Sequence, residues 1–199
     1  GEQLGQEMEI RRRRAEALSM PSPGFRRLRI SGLPVLPALV AAAVNVLATP
    51  SHAATQNLEP DDPQPSGLKS GLAVSYAYPS DVKTLGTAQH ALRRSKPGPS
   101  LAGLDYRDTN DGDNTLTSKR AHHVVAKITG YVQFDAAGTY NIDFLTNDGL
   151  DASIGGQQVG YFNGRQSCNE TRAVQVEVPQ AGWYPVDILY FQRLGTACL

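Results

Sequence analysis

The chain has 199 residues, with 19 basic and 19 acidic side chains, so its formal charge is zero. The charge is unevenly placed: residues 1–53 hold seven basic and four acidic residues, and residues 54–199 hold twelve and fifteen, a charge of −3. A mildly acidic body excludes binding to a phosphate backbone as the main activity, because that requires a dense row of Lys and Arg; no nucleic-acid partner is expected.

Residues 1–53 are expected to be a signal peptide with an N-terminal extension. Read from Met20, the order is basic (Arg26, Arg27, Arg29), then apolar (Val35 to Ala48), then small (Ser51-His52-Ala53). That is the order of a secretory signal with cleavage after Ala53 or Ala54. The apolar run falls short of the roughly 20 residues a membrane span needs, and Pro34 and Pro37 interrupt it. The competing reading is an uncleaved N-terminal anchor. Residues 1–19, including the Arg11–Arg14 run, are expected to carry no fold. The mature protein is therefore expected to be extracytoplasmic, periplasmic or secreted, without a membrane span.

Residues 54–70 are rich in Pro, Asp, Gln and Ser and read as a disordered or extended linker. The body, residues 71–199, opens on a strand candidate, Gly71 to Tyr76, with Leu72, Val74 and Tyr76 on one face. Val82, Leu85 and Leu92 are spaced for one short helix within Ser80 to Ser95, which Gly86 weakens. Leu101 to Ser118 reads as loop. Within it, Asp108 to Asn114 has the look of a calcium loop but fails the EF-hand pattern: Gly112 falls where a ligand is needed, and no glutamate closes the loop. An Asx-rich surface turn is the favoured reading.

From residue 124 the pattern is that of half-buried antiparallel strands, since alternation places successive side chains on opposite faces. Val124, Ala126, Ile128, Gly130, Val132 and Phe134 share one face; Tyr140, Ile142 and Phe144 share another. Leu150, Ala152 and Ile154 alternate again before the Gly155-Gly156 hairpin loop, whose glycines supply positive φ. Val174, Val176 and Val178, then Tyr184, Val186, Ile188 and Tyr190, complete the set. About seven short strands, no strong helix and many Gly and Pro turns predict an all-β, antiparallel β-sandwich.

Nothing among the residues marks an enzyme. His122 and His123 are adjacent at the start of a strand, so they face opposite ways and do not share one ion without distortion. No nucleophile elbow, phosphate-cradling glycine loop or zinc helix motif is present; a carboxylate pair for glycoside hydrolysis is a third, weaker reading. Cys168 and Cys198 are the only cysteines. An even number in an exported protein predicts a disulfide, which would pin the last strand to the domain.

The ordered set Gly71–Tyr76, Ile128–Phe134, Ala137–Tyr140, Thr146–Gly149, Ile154–Gly156 and Gly182–Phe191 resembles the fourteen-kilodalton protective-antigen (PA14) domain family. That family is a β-sandwich of bacterial toxins, glycosidases and yeast adhesins. The resemblance spans about residues 71–199 and implies an exported bacterial module that binds glycans or cell-surface polysaccharide without catalysis. In the family's lectin-like members an aspartate pair at the position of Asn147 and Asp148 binds calcium, which coordinates sugar hydroxyls, and a second loop near Gln192 to Gly195 helps to hold the ion. Here the first acid is Asn147, and Arg193 brings a positive charge; calcium at Asn147 and Asp148 stands beside the alternative of a plain Asn-Asp-Gly turn. The expected binding face is made of loops at one end: Asn147, Asp148 and Gly149; Tyr161, Phe162 and Asn163 in the loop that runs to Arg165; and Gln192 and Arg193 in the loop that runs to Gly195. Tyr161 and Phe162 are candidates to stack on a sugar, unless one is core and the other a lone exposed aromatic. A structural or protein-interaction module of the envelope, with no small ligand, is the alternative function.

Overall fold

The computed structural model describes residues 54–199; the expected signal peptide lies outside the described residues. The chain order is β1 (Gln56–Asn57), β2 (Ala73–Ala77), α1 (Leu85–Ala91), a 3₁₀ turn (Leu92–Arg94), β3 (Lys96–Pro97), β4 (Val124–Phe134), β5 (Gly138–Ile142), β6 (Leu145–Thr146), β7 (Gly149–Ile154), β8 (Gln157–Phe162), β9 (Asn169–Glu170), β10 (Val174–Val178) and β11 (Gly182–Gln192). The expected all-β sandwich is what forms. Six strands make one sheet in the order β3-β2-β4-β11-β7-β8, and β1-β10-β5 make the second; β6 and β9 pair separately. Every pairing within the two sheets is antiparallel except β1 on β10.

The two longest strands, β4 and β11, form the spine, in register from Gly182 opposite Phe134 to Gln192 opposite Val124. The alternation read from the sequence sets what they bury. Val124, Ala126, Ile128, Val132 and Phe134 of β4 and Tyr184, Val186, Ile188 and Tyr190 of β11 join the core with Val176 and Val178 of the opposite sheet. Apolar burial of this kind contributes roughly 25 cal/mol per Å² of surface removed from water.

At one end the spine is buried on its other face too. Val125, Leu189 and Phe191, with Ala77, make a second apolar cluster under Leu85 and Ala88 of α1 and under Val82. The helix fits within the expected Ser80–Ser95 window. Its first turn is capped by the Thr84 hydroxyl, which accepts from the Thr87 N–H at 3.2 Å, the usual way an N-terminal donor is satisfied. This cover explains an unbroken apolar run, Ile188 to Phe191, where alternation alone predicts an exposed Leu189.

Residues 54–70, read as a disordered or extended linker, do not hang free. The segment is extended, but it is docked. Gln56–Asn57 lies parallel to β10 as a third strand, the Leu58 N–H donates to the Glu177 carbonyl and the Glu59 N–H to the Gly155 carbonyl (both 2.9 Å), and the Leu58 side chain is 1% exposed within the core. Further along, Gln64 accepts from the Trp183 N–H at 2.7 Å and donates back to its carbonyl at 3.1 Å. One buried leucine in a polar, proline-rich stretch is too weak a periodic signal to read from sequence, yet it is enough to hold an edge-pairing strap.

Leu101 to Ser118 is irregular, as expected. Asp113 draws its own loop together by accepting from the Thr109 and Asn110 N–H groups at 3.0 and 2.9 Å, the arrangement of a closed turn. His122 and His123 turn to different acids: His122 Nε2 is 2.6 Å from Asp111 and His123 Nδ1 3.4 Å from Asp81. No helix among the described residues is long and apolar enough to cross a membrane.

Candidate ligand-binding site

Three loops meet at the end of the sandwich where β7 begins and β11 stops. The Asn147-Asp148 peptide, which is cis, carries the first of them. Asp148 is nearly buried, 5% exposed, and its carboxylate joins the other two: one oxygen accepts from the Gln166 N–H at 3.0 Å, the other from the Arg193 N–H at 2.7 Å. Gln166 also donates from its side chain to the Thr146 carbonyl at 3.0 Å. A charged acceptor holding two backbone donors is a strong clamp. Burial pushes the Asp148 carboxyl above the ordinary aspartate value, partly offset by those two N–H donors and by the Arg165 and Arg193 charges.

Around this carboxylate is a surface recess of about 280 Å³ lined by Asp148, Arg165, Gln166, Arg193 and Leu194. Asp148 and Arg193 are the two sequence-predicted residues that line it. Arg165 and Leu194 lie in the loops expected to take part, and Gln166 lies one residue beyond; no motif marks these three, because a chain crossing carries no periodic signature. The Arg193 guanidinium is turned aside to Asp81, 2.8 Å from Nε to Oδ1, which holds the Asp81 carboxyl down at about 2.

The other predicted residues serve elsewhere. Gly149 begins β7 against the Phe191 ring, which leaves no room there for a Cβ. Asn163 accepts from the Leu85 N–H at 2.8 Å and so fastens the start of α1. Tyr161 is 50% exposed and Phe162 half-buried; they pair with Asp151 and Leu150 of β7 and do not line the recess. Phe162 belongs to neither buried core cluster.

Asn147 and Gln192 are buried amides, each oriented by its nitrogen. Asn147 Nδ2 donates to the Thr196 carbonyl at 2.8 Å, and Gln192 Nε2 to the Leu194 and Gly195 carbonyls, both at 2.9 Å. The oxygens, Asn147 Oδ1 and Gln192 Oε1, have no hydrogen-bond partner. A calcium ion takes about six to eight oxygens. Two orphaned amide oxygens and the Asp148 carboxylate fit that chemistry in kind, with a single anionic group. Among the described residues no cluster of three or more His, Cys, Asp or Glu side chains exists to hold a metal by itself.

The predicted disulfide is present: Cys168 and Cys198 are joined, with their Cα atoms 5.9 Å apart. Cys168 lies two residues beyond Gln166. Cys198 lies in a short segment, residues 197–199, threaded between Asn147 and the 106–108 stretch: the Leu199 and Tyr106 N–H groups donate to each other's carbonyls, both at 2.9 Å, and the Asp108 N–H donates to Ala197. Bridge and ladder together fix two walls of the recess.

Known proteins share this architecture. The PA14 sugar-binding domain from an RTX adhesin superposes with a TM-score of 0.52 at 18% identity, over 65% of this chain and 86% of that one. The PA14 domain of the antifreeze protein MpAFP gives 0.54 at 18%, over 69% and 83%. The epithelial adhesin 6 A domain from Candida glabrata, solved with Galβ1-3GlcNAc, gives 0.53 at 12%, over 72% and 83%. At these identities the likeness is one of fold. A comparison with curated proteins finds no match. The PA14 domain family model matches residues 69–199, almost the whole of the described fold, and the chain belongs to the PA14 domain family.

Proposed function

We propose that this chain is a non-catalytic carbohydrate-binding or adhesion module that takes its ligand at the recess around Asp148. The observation that carries this is the joining of three loops by one buried carboxylate, Asp148 to the N–H groups of Gln166 and Arg193. That clamp gives a rigid concave end, which is what a module without a catalytic centre needs to bind a small polar ligand. Structural neighbours include a sugar-binding domain and an adhesin solved with a disaccharide, which supports the same reading.

Asn147 and Asp148 are the proposed calcium ligands, helped by Gln192. Bound there, the ion would supply a Lewis acid to which sugar hydroxyls bind. The residues themselves orient the site: Gln192 holds the 194–195 carbonyls inward, and Tyr190 donates its hydroxyl to the Asn147 carbonyl. The protein is proposed to be exported, on the reading of residues 1–53 as a signal peptide; the disulfide is consistent with an oxidising compartment.

The alternative is a structural or protein-interaction module, favoured by one observation: both Asp148 oxygens already accept internal N–H bonds. A glycan array, run with calcium and with chelator, decides between the two. Saccharides bound above background support the first reading; an empty array in both conditions supports the second.

A further inference from the structure

We infer that the recess selects acidic saccharides, those bearing a carboxylate or sulfate, through Arg165. The inference rests on the carbohydrate-binding reading and names the ligand class for the same site. Arg165 is exposed and lines the recess. Its loop is nevertheless pinned from both directions. The next residue, Gln166, is bonded through its backbone to Asp148 and through its side chain to Thr146, and Cys168 is tied to Cys198. The backbone that carries the Arg165 guanidinium is thus fastened, so a contact made with it carries no cost of ordering the loop.

Charge accounting distinguishes Arg165 from the other cations at this end. Arg193 bonds Asp81 through Nε at 2.8 Å, and Lys83 lies 3.1 Å from the same carboxylate. Asp148 is held by two backbone N–H groups. Among the described residues no carboxylate lies within ion-pair distance of Arg165. Arg165 acts on the Asp148 carboxylate only across space, and with Asp81 shared by Arg193 and Lys83 the cations at this end outnumber the two carboxylates, which leaves the Arg165 guanidinium open to a ligand anion. A planar guanidinium offers paired N–H donors that match a carboxylate or sulfate and are wasted on a neutral ring. A hydrogen bond to a charged partner is stronger than one to a neutral hydroxyl, so the expected preference is roughly tenfold, and it weakens as salt screens the pair.

The test is retention of the full chain on immobilised polysaccharides, in calcium and at two salt concentrations. The carboxylate arm compares polygalacturonate with its methyl ester; the sulfate arm compares a sulfated galactan with the same galactan after desulfation; Galβ1-3GlcNAc and lactose represent neutral sugars. The expected result is about tenfold stronger retention on one or both acidic polymers than on the neutral counterpart, lost in Arg165→Gln and only partly kept in Arg165→Lys, which retains the charge without the paired donors. Because Arg165 is exposed, thermal melting of both variants should match the parent chain. Equal retention on acidic and neutral forms would overturn the inference and leave the carbohydrate reading standing. Acid-selective retention unchanged in Arg165→Gln would overturn the assignment to Arg165. No retention on any saccharide would overturn both.

Discussion

The Asn147 N–H donates to the carbonyl of Cys198 at 3.1 Å, so the residue that begins the candidate ligand turn is hydrogen-bonded to one half of the disulfide. Asn147 Nδ2 reaches Thr196 in the same segment. The turn, the 164–168 loop and the 192–199 segment therefore hold one another, and the Cys168–Cys198 bridge closes the ring at a sequence separation of 30.

Breaking that ring has a calculable cost. For a loop of this length the chain-entropy model gives about 3–4 kcal/mol. The double variant Cys168→Ser, Cys198→Ser should lose that much in urea unfolding, a large part of the roughly 5–15 kcal/mol typical of a domain. A midpoint unchanged from the parent would show that the ladder at 197–199 suffices without the bridge.

The strap at the N-terminal edge predicts a second effect. Leu58→Ala should destabilise the domain by about 2–5 kcal/mol, as for other buried leucines, whereas a free linker would tolerate the change. The hairpin glycines give a paired control. Both have positive φ, but a Cβ on Gly155 would meet the Glu59 nitrogen at 2.8 Å, and one on Gly156 would meet nothing within 4 Å. Gly155→Ala should therefore cost more than Gly156→Ala. Equal melting temperatures for the two would argue that the strap is not docked in solution.

Acid should loosen the link between Asp81 and Arg193. The Asp81 carboxyl is held down at about 2 from an ordinary value of 3.8, chiefly by its bond to Arg193. A carboxyl depressed on folding contributes stability above its unfolded pKa and loses it as pH falls through the folded one. Asp81→Asn should thus melt below the parent near neutrality, and the two curves should converge as pH falls from about 4 to about 2. A constant gap across that range would mean the ion pair contributes nothing and the variant acts by packing alone.

Asp148 carries the opposite sign. Burial raises its carboxyl, so its ionisation costs folding nothing below 3.8 and sets in as pH rises through that value. On the proposed calcium reading, the ion binds the carboxylate, so added calcium should raise the melting temperature by mass action, and the rise should begin to fade on acidification at a higher pH than for an ordinary aspartate. Asp148→Ala and Asn147→Ala should each abolish most of the rise. Scanning calorimetry at several pH values with calcium and with chelator measures this, and identical melting in both would falsify the calcium assignment.

By itself the sequence determined the strands. Alternation at 124–134, 140–144, 150–154, 174–178 and 184–190, with glycine turns between, is local information, because side-chain direction in an extended chain follows from the backbone alone. The ordered motifs from Gly71 to Phe191 were enough to place the family, and two cysteines were enough to expect their bond. Tertiary structure decided the rest. Leu189 and Phe191 are buried because a helix about a hundred residues upstream in the chain covers them, and Leu58 because a strand edge was open to it. Arg165 and Gln166 line the recess only because Asp148, remote in sequence, holds their loop by hydrogen bonds. Asn163, of the right type in the right region, went instead to the Leu85 N–H. A polar side chain satisfies the nearest donor or acceptor that the fold brings within reach, and periodicity along the chain contains no record of which one that is.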